Sequence, residues 1–181
     1  MNNAYESMRT FWLDVKNLQH KKEVPQLGEQ HICVAGVEMA AVDHQGATKN
    51  LLIAASSLGN ASVYFENNSP SGIGGFTGGA TSGPIHERAQ QLLQEASYAA
   101  EKLPVVATLA AQKDPAKITL FTVSGDGTLR ATELKETEVR NPEHPLYAFF
   151  AYTQQLLGAF RTQQEEAAKK AVPVASESTE K

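Results

Sequence analysis

The stretch Ser71-Gly72-Ile73-Gly74-Gly75-Phe76-Thr77-Gly78-Gly79-Ala80-Thr81-Ser82-Gly83 is the part of this chain whose residue types and spacing most readily suggest chemistry. It runs into a helical pattern opened by Pro84. Backbone N–H groups at a helix start, the hydroxyls of Thr77, Thr81 and Ser82 and the His86 imidazole could together hold an anion. The candidate ligand-binding residues are therefore Gly74, Gly75, Thr77, Gly78, Gly79, Thr81, Ser82 and His86, and a small or phosphate-containing ligand is the class they suit. The specific phosphate-cradle patterns are absent, because no glycine here is followed by Lys-Ser or Lys-Thr and G-x-G-x-x-G does not occur. A flexible surface connection, or a partner-binding or lid loop, accounts for the same composition. The ligand reading predicts that alanine at Gly78 and Gly79 abolishes binding and leaves the fold intact.

Other motifs lead less far. His86-Glu87 begins like a zinc-protease helix, but the second ligand position is Gln90. His20, His31, His44 and His144 show no paired metal-ligand spacing, so neither a metal nor a cofactor is expected. Cys33 lies in the apolar run Ile32-Cys33-Val34-Ala35 and reads as a buried small apolar residue. No G-x-S-x-G elbow occurs, no Ser-His-Asp set can be nominated, and no catalytic residue is proposed. Ser124-Gly125-Asp126-Gly127 lacks the alternating acidic ligands of a calcium loop and reads as a hairpin turn. Tyr147, Phe149, Phe150, Tyr152 and Phe160 put aromatic rings on several faces of one helix. Core packing accounts for most of such a cluster; Phe149, Tyr152 and Phe160 are the candidates for a contact between chains.

The elements that must position these residues follow from periodicity. Tyr5, Met8, Phe11, Trp12, Val15 and Leu18 recur at helical spacing behind an Asn3/Glu6 capping pattern. Residues 31–42 read as a buried strand closed by the turn Asp43-His44-Gln45-Gly46. Residues 51–56 and 61–66 flank Leu58-Gly59-Asn60 as a hairpin, and 67–83 reads as one long loop. A helix from Pro84 is stopped by Pro104. Residues 118–123 and 128–134 form a second hairpin, and a helix starting at Pro145 carries Leu146, Phe149, Phe150, Leu156, Leu157 and Phe160 on its apolar stripe.

The order α-β-β-β-loop-α-β-β-α predicts an α+β fold, an antiparallel sheet of about five strands with two or three helices on one face. Residues 1–165 form a single domain, and 166–181 an exposed helix end and a disordered C-terminal tail. With 181 residues, 41% hydrophobic and 20% charged, the composition is that of a folded domain. A formal charge of -4 argues against nucleic acid as a partner. One cysteine and no long apolar run point to a reducing, cytoplasmic setting with no membrane partner. The expected function is non-catalytic: binding of a protein partner or self-association as a homo-oligomer, in the manner of an adaptor, inhibitor, immunity or chaperone-like factor. The alternative is a small-molecule binder or enzyme acting at the glycine segment.

Overall fold

The computed structural model describes residues 4–22, 24, 28, 30–66, 73–79 and 82–171. Its centre is β1 (Ile32–Val42), which is buried from Ile32 to Glu38 and apolar there apart from Glu38, as a strand covered on both faces requires. Asp43 turns the chain by accepting the N–H groups of Gln45 and Ala47 on its carboxylate, which also holds that carboxyl below its usual range. β2 (Thr48–Ser56) returns alongside β1, and the Gly59 turn leads into β3 (Ala61–Glu66). β5 (Lys117–Ser124) and β6 (Leu129–Lys135) form the second hairpin. Its Asp126 carboxylate accepts from the Thr128 N–H at 2.8 Å and the Thr128 hydroxyl at 2.9 Å, as a turn residue does.

The sheet has six antiparallel strands in the order β4-β3-β2-β1-β5-β6. The sixth, β4 (Ile73–Gly78), lies inside the segment expected to be a loop, and it pairs with β3 from Ala61↔Gly78 to Glu66↔Ile73. Glycines suppress the side-chain alternation by which a strand is recognised, yet they retain every backbone donor and acceptor. The β2–β3 hairpin and the second hairpin are as expected.

The helices are not confined to one face. α3 (Pro84–Ala99), prolonged by a 3₁₀ turn Ala100–Lys102, and α5 (Tyr147–Ala171) pack on each other and on one side of the sheet. Ala89, Leu92, Leu93, Ala96, Phe149, Leu156 and Phe160 meet Ala35, Val37, Ile53, Val63, Ile118 and Leu120 there. α1 (Ala4–Leu13) and α2 (Val15–His20) cover the opposite side. Asp14 divides what read as one opening helix, accepting the Lys16 N–H as the N-cap of α2. α4 (Glu136–Val139) is one further turn, too short to leave a periodic signature. Asn3 and residues 172–181 lie outside the described residues, and α5 is exposed from Glu165 to Lys170.

Candidate functional site

The glycine segment is built into the sheet. Phe65 stands directly across from Gly74, and Tyr64 across from Gly75. A Cβ on Gly75 would crowd the Val63 carbonyl oxygen and the Tyr64 ring, at 2.6 and 2.8 Å, so the Tyr64 side chain occupies space that β4 leaves. β4 is the outermost strand, and among the described residues none pairs with its outer side. Phe76 is 40% exposed there. Its ring centroid lies 6.0 Å from that of Phe65.

The end of β4 is locked to the hairpin turn and to the start of α3. His86 Nδ1 donates to the Gly79 carbonyl at 2.7 Å, which uses the imidazole hydrogen on that nitrogen. The same ring lies against Gly59 so closely that a Cβ there would run into it. Gly79 has φ +83°, and a Cβ on it would strike the Gly59 carbonyl oxygen. Alanine at positions 78 and 79 therefore disturbs this interlock rather than leaving the fold intact, and Gly78 adds a 2.8 Å approach to Ile85 Cδ1. Ser82 shares with Gly79 a cleft of about 530 Å³ between the start of α3 and α5, which Arg88 and Glu166 also line. Thr81 lies outside the described residues. Gly74, Gly75, Thr77 and Gly78 are thus residues of the β4 strand, and Gly79 and His86 form the clasp at its end.

Of the aromatic candidates, Phe149 and Phe160 are 0% and 2% exposed within this chain's own core, and Tyr152 is half-buried against it. Phe160 nonetheless forms part of the wall of a groove of about 720 Å³ beside β4, with Phe76, Gln163, Gln164 and Ala167. The lining of that groove carries no charged side chain.

The opposite edge of the sheet is finished differently. The segment following α3 runs along β6: Val105 bridges Arg130, the Val106 N–H donates to Leu129 O, and the Ala131 N–H donates to Pro104 O, both at 3.0 Å. Arg130, Glu133 and Lys135 put charge on β6 itself, and Arg130 Nη1 donates to Leu103 O at 3.0 Å. Nothing in residues 105–111 signals this role, because an edge cover is defined by what it lies beside.

A buried polar cluster lies under α1. Glu38 is 0% exposed in the middle of β1, and its Oε1 accepts from both Tyr5 Oη and Arg9 Nε at 2.9 Å. Arg9, 6% exposed, also donates through Nη2 to Leu109 O at 2.6 Å. From Glu38 a polar row crosses the sheet through Thr119 to Glu133, spanned by Gln112 Nε2, which lies 3.1 Å from both Thr119 Oγ1 and Glu133 Oε2. At its exposed end, Lys117 holds the Glu133 carboxyl below its usual range. Arg9 and Glu38 carry no local sequence signal of this role, because each looks like a surface charge until the register places it inside.

Cys33 is 0% exposed, and burial raises its thiol pKa, which withholds the nucleophilic thiolate. Among the described residues no group of three or more His, Cys, Asp or Glu is arranged to hold a metal, and no helix is long and apolar enough to cross a membrane. No known protein-family model matches this chain, and no curated protein is significantly similar to it in sequence.

Proposed function

We propose that this protein is a non-catalytic binding module that takes up an extended protein segment as an added strand on the outer side of β4. The observation that carries this reading is the unequal finish of the two sheet edges. An edge strand presents alternate N–H and C=O groups outward and serves as a template for another chain, so folds usually shield or charge it. β6 has both protections, a covering segment and three charged residues. β4 has no charged residue, three glycines and an exposed Phe76. Backbone pairing would supply affinity, and the uncharged groove beside Phe76 and Phe160 would receive an apolar side chain of the docked segment.

Peptide display on the immobilised full-length chain tests the reading. Selected peptides should be extended and carry an apolar or aromatic residue. They should lose about tenfold or more in affinity against Phe76→Lys, the loss expected for a central interface side chain, and none against Val105→Lys on the covered edge, where Val105 is 60% exposed. Peptides indifferent to Phe76→Lys would remove β4 as the docking strand.

A further inference from the structure

We infer that the strand docked on β4 is the β4 of a second copy of this chain, related by a two-fold axis perpendicular to the sheet that passes midway between the facing Gly75 residues of the two copies. This rests on the strand-docking reading above and names its occupant. Ile73–Gly78 contains no charged side chain, so two copies meet edge to edge without opposing like charges. A two-fold axis in this direction makes an antiparallel pair and keeps the α3/α5 faces of both copies on the same side, so facing residues must share a face.

Centring the axis on Gly75 puts Phe76 of each copy directly across from Gly74 of the other. Within one chain the sheet already uses this pairing repeatedly: Phe121 faces Gly36, Phe65 faces Gly74 and Tyr64 faces Gly75. At Gly36 the fit is close, since a Cβ would come within 2.7 Å of the Phe121 ring. Aromatic rings across from strand glycines fill the missing side-chain volume and pin register. Phe76 lies on the same face as Val63 and Phe65, by its pairing with Val63. The junction therefore gathers Phe65 and Phe76 from both copies into one apolar cluster, with the uncharged groove of Phe160, Gln163, Gln164 and Ala167 beside it. Shifting the axis to Phe76 would instead set Gly74 against Gly78 and leave that volume unfilled.

Sedimentation equilibrium on the full-length chain, with isotope-filtered NOE spectroscopy on a dimer mixed from labelled and unlabelled copies, tests this. A dimer is expected, with an intermolecular contact between the Phe76 ring and the Gly74 Hα protons. Phe76→Lys should raise its dissociation constant about a hundredfold, because the two-fold places the change in the interface twice, and Val105→Lys should not. A dimer that survives Phe76→Lys, or one whose Phe76 ring contacts the other copy's Phe76 but not its Gly74, would overturn the inference. A monomer that binds displayed peptides through Phe76 would overturn the self-pairing and leave strand docking standing; a monomer that binds none would end both.

Discussion

The two faces of the sheet are covered by different means. On the α3/α5 face the contact is mainly apolar and buries no charged side chain, from Ile85 near the start of α3 to Phe160 near the middle of α5. On the α1 face an apolar cluster around Tyr5, Trp12, Leu18 and Phe121 surrounds a carboxylate that is 0% exposed and the guanidinium that neutralises it. Apolar area is non-directional and tolerates small shifts of a helix. A short ion pair supported by further hydrogen bonds does not, so Glu38 specifies where α1 sits as well as that it sits. Specification by charge falls on the shorter helix, Ala4–Leu13, which has less apolar surface to offer than α5.

The largest expected effect belongs to the apolar face. Phe149 is 0% exposed on α5, and Phe149→Ala should cost about 4 kcal/mol, the transfer of a phenyl group together with the cavity it leaves. Urea unfolding measures this directly. A loss below about 1 kcal/mol would mean that α5 re-packs freely, and the contrast between a repackable and a specified face would then be sharper still.

On the α1 face, Arg9→Met strands Glu38 without its cation and should cost about 3 kcal/mol. The double variant Arg9→Met, Glu38→Leu removes the charge requirement altogether and should recover most of that loss, so the cycle should report a coupling of about 2 kcal/mol. If Arg9→Met alone is harmless, the pair does not hold α1, and the comparison between the faces fails. In the double variant α1 should also exchange its amide hydrogens faster than α3, since area alone then positions it.

This difference also separates what was legible in the sequence from what was not. α3 and α5 follow from stripes of apolar residues at helical spacing, and the second hairpin from alternation around Gly125-Asp126-Gly127, because local periodicity survives in any register. β4 was hidden because Gly74, Gly75 and Gly78 carry no side chains to alternate. The helices on both faces were hidden for a different reason. The helical spacing of the opening stripe runs through Met8, whereas the structure buries Arg9 in full and Met8 only in part. A charge inside a helical stripe is assigned to solvent unless its partner, here 29 residues away, is known. Of the glycine-segment residues, which the sequence marks by hydroxyls and a helix start, Gly74, Gly75, Thr77 and Gly78 share a sheet edge, a property of strand order that no single segment encodes.

The smallest expected effect isolates the hydroxyl that completes the cluster. Tyr5 is 0% exposed, and its phenol is held well above the ordinary range, first by burial and then by the Glu38 carboxylate that accepts its hydrogen bond. Tyr5→Phe should therefore cost only about 1 kcal/mol at neutral pH, the net worth of one buried hydrogen bond. Its larger signature lies in alkali. In the unfolded chain Tyr5 releases its proton near pH 10, while in the folded chain it keeps it, so above that pH the folded state holds the extra proton and stability falls as pH rises. The contribution of this group is fully present below about pH 10 and should be lost by up to about 1.4 kcal/mol for each further pH unit. Unfolding curves between pH 9 and pH 11 should be shallower in pH for Tyr5→Phe by that amount, and the two chains should converge in stability as alkali removes the advantage of the hydroxyl. Parallel curves would show that water reaches the phenol, and the α1 face would then be a loosely seated cover instead of a specified one.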